Sequence, residues 1–283
     1  MTMQTVGVDP LYLSIFGRTV LIECADSKTR GLLVTGYGHM STLSPSGPDL
    51  RCAVRLADAA NGYTVSVAGR GVLHAENVGE FLFLFEKELT IALEGLCPKL
   101  FFVHAAALGL GDAAIMLVAP SGSGKSTTAW ALLHHGFTYL SDELSPIDLD
   151  VLAVHPYPHA LCLKADPPPS YSLPAAALRT ASTLHVAVPD LPGPPADRPY
   201  PLRAIFFLTY VPLASAPTIE PIGAGAGAAL IVSNLLNGLA HPAAGLDGAI
   251  QIARAIPCFN LRTADLSQTC LAVRAAVEAL LES

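Results

Sequence analysis

The chain has 283 residues, 52% of them hydrophobic and only 14% charged, with a net charge of −7 at pH 7. That is enough apolar material for one large domain or two small ones. It excludes nucleic acid as the main partner, because backbone-phosphate binding needs a clustered basic surface and no Lys/Arg-rich run occurs. The 6 cysteines are scattered without C-x-x-C spacing, so they read as free buried thiols of a reducing compartment. No basic region followed by an apolar one opens the chain, so a signal peptide is not expected and a cytoplasmic protein is.

Residues 1–76 read as β-rich. Thr19–Cys24, Gly31–Tyr37, Ala53–Leu56 and Tyr63–Val67 are short apolar or β-branched runs, with turn signals at Ser44–Asp49 and Asn61–Gly62. Val78–Leu93 predicts a helix, with Asn77 as its cap, Glu80 at capping-box spacing, and Gly95 and Pro98 as stops. A boundary placed there divides a β-rich N-terminal region, 1–97, from a catalytic region, 98–283. Phe101–Ala119 is long and apolar enough to cross a bilayer. His104 and Asp112 interrupt it and Gly109, Gly111 and Asp112 make a turn cluster, so it predicts two buried strands and no membrane association.

A strand at Ala114–Val118, a helix at Lys125–His135 stopped by Gly136, and a strand at Phe137–Leu140 give the β-loop-α-β order of an α/β core. Ala129, Leu132 and Leu133 mark the helix's apolar side; Trp130 reads as core or interface, and His134 and His135 as C-terminal residues favoured by the helix dipole. Prolines then crowd residues 165–201, which predicts an irregular surface excursion or, with function, a flap over a substrate. Leu202–Tyr210 predicts a strand; Ala228–Leu239 and Gln268–Leu281 predict helices. The run from Gly223 to Gly227 alternates Gly and Ala but makes a poor dinucleotide fingerprint, since no clear strand leads into it.

The chemistry concentrates at Ala119–Thr127, which matches a phosphate-loop pattern except for Ala119 at its first position. Gly122 and Gly124 let successive amides turn inward around phosphate oxygens, and Ser121, Ser123 and Thr127 complete the loop. The helix beginning at Lys125 aims its positive end at the same anion. Lys125 can reach β- and γ-phosphates, and the Ser126 hydroxyl is placed to ligate Mg²⁺. Asp142 and Glu143 follow one helix and one return strand later, where an open sheet puts them near the loop. One can hold the metal and one can accept a proton. His104, at a strand end, reads by itself as structural.

Together, His104-Ala-Ala-Ala107, Ser121-Gly-Ser-Gly-Lys-Ser126, Ser141-Asp-Glu143 and the segment Pro156-Tyr-Pro158 with Lys164 downstream resemble the HPr kinase/phosphorylase family. They resemble especially its branch associated with lasso-peptide biosynthesis. The resemblance is clearest over residues 100–165. It implies a P-loop-containing, phosphoenolpyruvate-carboxykinase-like α/β fold that uses ATP and Mg²⁺ to phosphorylate a serine. It also implies Asp142 as base, a metal role for Glu143, and His104 touching the phosphates or orienting the acid. The glycine-rich signature that follows the two acids in HPr enzymes is replaced here by the proline-rich stretch, so HPr itself and the reverse phosphorylase reaction are not implied. The expected partner is a peptide or small protein bearing an acceptor serine, such as a lasso-type precursor; the oligomeric state is open. A P-loop ATPase, a small-molecule kinase and a nucleotide-sensing protein stay open as alternatives. Arg179, Arg198 and Arg203 are candidates for an assisting arginine.

Overall fold

Leu11–Ile15 (β1) buries every second residue and Arg18–Cys24 (β2) buries Val20, Leu21, Ile22 and Cys24, and the two strands pair antiparallel across a turn where Phe16 and Gly17 take positive φ, 51° and 72°. In this computed structural model residues 8–43, 47–56, 62–212 and 214–282 are described. Of the turn signals in the sequence, 44–46 and Asn61 lie outside the described residues.

The segment expected as a strand at Gly31–Tyr37 is instead a helix, α1, over Ser27–Tyr37. The local chemistry explains the difference. Asp26 caps it by accepting the Thr29 N–H at 2.8 Å, and Thr29, Leu33 and Tyr37, four apart, form its buried stripe. Topology demands it as well, because Leu50–Leu56 (β3) lies parallel to β2 and a parallel pair needs a crossover. Tyr63–Val67 (β4) and Val72–Ala75 (β5) complete a five-stranded sheet in the order β1-β2-β3-β4-β5. Across it packs α2, Val78–Leu96. Asn77 caps α2 through the Glu80 N–H at 3.0 Å, but Glu80 reaches back to the Glu76 N–H rather than to the cap residue. Gly95 does not stop the helix, which runs to Leu96 and ends at Cys97.

The second sheet has nine strands. Leu100–Val103 (β6), Ala105–Leu110 (β7) and Ala113–Val118 (β8) make up most of the long apolar run as three strands rather than two. Gly111, with φ 58°, and Asp112 turn β7 into β8. Then come α3 (Lys125–His134), β9 (Thr138–Ser141), β10 (Ser145–Asp148) and β11 (Ala153–Val154). A separate sheet of three short strands, β12 (Leu161–Leu163), β13 (Leu178–Arg179) and β14 (Leu184–Val186), precedes β15 (Tyr200–Tyr210) and β16 (Thr218–Ile222). Helices α4 (Ala224–Val232) and α5 (Leu246–Ala255), strand β17 (Cys258–Thr263) and helix α6 (Leu266–Glu282) end the chain. The large sheet runs β6-β10-β11-β15-β8-β7-β9, with β17 pairing β15 and β16. One of its faces is covered by α3 and α6, the other by α4 and α5, so the architecture is mixed α/β with helices on both faces.

Packing overturns two expectations. The proline-rich stretch is not a loose excursion. Tyr171, Leu184, Val186, Val188 and Leu191 are buried in one core with Ala129, Trp130 and Leu133 of α3, and the Trp130 indole N–H donates to the Tyr171 carbonyl at 2.7 Å. A strand, β16, does lead into the glycine run. There the small residues serve packing: a Cβ on Gly227 would stand 2.9 Å from Cys258 Sγ on β17. The core beneath the first sheet also takes in Phe102, Leu144 and Tyr157, so it crosses residue 97. Among the described residues no helix is long and apolar enough to cross a membrane.

Candidate functional site

Strand β8 delivers the chain to the phosphate-loop segment. Ala119 is buried in the core and has no left-handed backbone, so the missing glycine is not needed there. A turn follows, with the Ser123 N–H bonded to the Pro120 carbonyl at 3.2 Å. Gly122 and Gly124 then take φ of 86° and 88°, and a Cβ on either would meet nothing within 4 Å. Glycine is required by the backbone rather than by crowding, and the space in front of the turn is open. Gly124 caps α3 without a side-chain hydrogen bond, so the first-turn amides remain available to an anion along the helix axis.

Sheet register brings the remaining groups to this edge. Ala105 of β7 pairs with Val118, which puts His104 beside the loop. β9 pairs antiparallel with β7, hence runs the same way as β8, and its end at Ser141 presents Asp142 and Glu143 at the same edge. Lys125 Nζ donates to the Asp142 carbonyl at 2.7 Å and lies 3.5 Å from Glu143 Oε2. His104 Nε2 is 2.6 Å from the same oxygen. From outside this set, Lys164, just past β12, donates to Ser121 Oγ at 2.6 Å.

The two acids are in opposite electrostatic states. Burial works against ionisation of Glu143, but the His104 hydrogen bond and the Lys125 ammonium outweigh it and hold the carboxyl down at about 2. Asp142 is fully buried. Its Oδ2 accepts the Cys162 N–H at 3.2 Å and its Oδ1 has no hydrogen-bond partner. Burial pushes its pKa up and the Glu143 charge adds to that, against the pull of Lys125. Neighbouring carboxyls driven apart in this way are suited to different tasks, the depressed one to holding charge and the raised one to taking a proton.

The pocket at this edge has a volume of ≈ 190 Å³ and is walled by His104, Ser121, Gly122, Gly124, Lys125, Ser126, Thr127, Glu143, Cys162 and Lys164, with Pro120 and Ala165 at its margin. Ser123 and Asp142 are close by in sequence but do not reach the wall. Ser121, Ser126, Thr127 and Glu143 supply its side-chain oxygens. Among the described residues no group of three or more His, Cys, Asp or Glu side chains could hold a metal ion. That donor set fits Mg²⁺, which keeps much of its coordination to water and phosphate and takes one or two protein oxygens.

None of the candidate arginines lines this pocket. Arg198 pairs with Asp112, at the opposite end of β8, and Arg203 lies near the start of β15, level with the beginning of β8. Arg179 is engaged by Asp166 at 2.8 Å on the surface. His135 bonds the Tyr171 hydroxyl at 2.8 Å, which docks the proline-rich segment. Sequence reasoning noted Lys164 only within the family resemblance, and nothing local marks Cys162 or Glu86 as site residues. Cys162 lies on β12 and Lys164 just past it. Glu86 comes from α2, where it sits 3.2 Å from His159 and feels the charges of Asp142, Glu143 and Lys125.

No known family profile and no curated protein matches the chain. Among solved structures, the HPr(Ser) kinase/phosphatase from Coxiella burnetii is similar at 13% sequence identity over 64% of this chain and 97% of that one, with a TM-score of 0.34. A likeness of that degree carries no functional argument.

Proposed function

We propose that this protein is an ATP- and Mg²⁺-dependent kinase that phosphorylates a serine hydroxyl on a peptide or small protein. One observation carries the proposal: free first-turn amides, two left-handed glycines, two ammonium groups and a split carboxyl pair converge on one sheet edge. The amides of α3, Lys125 and Lys164 neutralise the polyphosphate. Ser126 and Glu143 would hold Mg²⁺, which supplies further charge neutralisation at the transferring phosphoryl group. His104 fixes the orientation and ionisation of Glu143.

The acceptor oxygen attacks the γ-phosphorus, the bond from that phosphorus to the β,γ-bridging oxygen breaks, ADP leaves, and the serine proton passes to Asp142. Because Asp142 is fully buried, its proton-accepting oxygen does not meet bulk water, which favours transfer to an ordered acceptor over ATP hydrolysis. Reaching it requires a covering side chain to give way, and Cys162 is both bonded to Asp142 through its N–H and part of the pocket wall. The thiol is no nucleophile, since burial pushes its pKa well up. The sequence resemblance puts a lasso-type precursor peptide first among acceptors, and the free cysteines among the described residues suit the cytoplasm.

The test is incubation with γ-labelled ATP, Mg²⁺ and serine peptides, with products resolved by mass. Label on serine, lost in Lys125→Ala, is the expected result. Label appearing only as inorganic phosphate, or undiminished transfer by Lys125→Ala, would overturn the assignment.

A further inference from the structure

A second cleft backs onto the same catalytic edge. It has a volume of ≈ 520 Å³ and lies between the first turns of α2 and the β13–β14 connection. Its wall includes Phe83, Glu86, Cys162, Ser182, Thr183 and His185. Cys162 therefore walls both this cleft and the phosphate-loop pocket, and its N–H is the group that Asp142 Oδ2 holds. In phosphoryl transfer the incoming hydroxyl must face the γ-phosphorus with the base in reach of its proton. Asp142 is held by Cys162, the residue that borders both the phosphate-loop pocket and this cleft.

We propose that this cleft is the acceptor subsite and that it takes a serine peptide with a basic side chain beside the serine. The inference rests on the kinase reading and names the substrate class for it. The cleft's chemistry suits such a ligand. Glu80 and Glu86 line the cleft and, among the described residues, no lysine or arginine does, so its acidic side chains have no basic neighbour on the wall, Glu86 lying 3.2 Å from His159 behind it. His185 does not offset them, because burial, with His159 nearby, holds its ring at about 4 and leaves it neutral at pH 7. Phe83 is 64% exposed at the rim and offers a face for an apolar residue or a cation. The Ser182 and Thr183 hydroxyls can bond a peptide backbone.

The experiment compares three pools of serine peptides, flanked by arginine, alanine or glutamate, as acceptors for the full-length chain with labelled ATP and Mg²⁺. The arginine pool is expected to be phosphorylated best. Ser182→Trp, which fills the cleft from an exposed position, and Glu86→Gln are each expected to raise the KM for that pool about tenfold, the ratio that corresponds to about 1.4 kcal/mol of lost contact. The KM for ATP should change less than about twofold in Ser182→Trp. Phe83→Ala, at a solvent-facing position, provides a third variant whose folding is not at risk and whose peptide KM should also rise. A preference for the glutamate pool, or unchanged peptide KM in Ser182→Trp and Phe83→Ala, overturns the subsite while leaving the kinase intact. Label released only to water overturns both.

Discussion

Asp142→Asn is the sharpest test of the divided carboxyl pair, because it should move stability and activity in opposite directions. The substitution keeps the shape and can keep the bond to the Cys162 N–H, now as a neutral hydrogen bond, at a cost of about 1 kcal/mol. It also gives up attraction to Lys125. Against this, it removes an ionised carboxylate that is wholly out of water with one oxygen unbonded, a penalty of several kcal/mol before compensation. The raised pKa says that desolvation wins. The sign follows from linkage. A carboxyl whose folded pKa lies above its ordinary value favours the native state when protonated, and that contribution is lost as pH rises through the folded pKa. The Asn variant should therefore melt higher than wild type at pH 7, with the gap closing as pH falls towards the ordinary carboxyl value of 3.8. Its turnover should fall by about 10²–10⁴, the usual worth of a positioned base, while ATP still stabilises it against heat. Thermal melts from pH 4 to 8 with and without ATP, alongside initial rates, check both limbs. A lower melting temperature at pH 7 together with full turnover would show Asp142 to be a structural carboxylate and nothing more.

His104→Ala removes the partner that lies 2.6 Å from Glu143 and helps hold its carboxyl at about 2. The Glu143 pKa should rise towards 4.5, and the acid limb of the rate profile should rise with it; an unmoved limb would disconnect His104 from catalysis. Trp130→Phe deletes the indole N–H that satisfies the buried Tyr171 carbonyl, which should cost about 1–3 kcal/mol by denaturant unfolding. Its ATP-dependent stabilisation should be kept, since Trp130 does not line the pocket. No loss of stability there would mean that the proline-rich segment is not anchored on α3.

Much of the site could be read directly from residue order. A phosphate loop is a local device: positive φ at Gly122 and Gly124, a helix N-terminus and a lysine are all encoded within a few consecutive residues. The same holds for the Asn77 cap and for the inward and outward alternation of Tyr63–Val67, which is visible without a partner strand. Gly31–Tyr37 shows where local signals mislead. Its β-branched residues suggest a strand and outweigh the Asp26 cap signal on reading, but a parallel β2–β3 pair needs a crossover, and that requirement exists only once the sheet has formed.

What sequence order left open depends on distance along the chain. Lys164 meets Ser121, Glu86 meets His159, and Cys162 meets Asp142 only because a small sheet from a proline-rich stretch and a helix from the first region fold against the catalytic edge. Prolines forbid long regular elements but not burial, so composition alone could not show that Leu184 and Val186 would cover α3. Residue order also named two acids without ranking them. Burial of one and exposure of the other to His104 and Lys125 separate their proton affinities, and burial is a property of the assembled core.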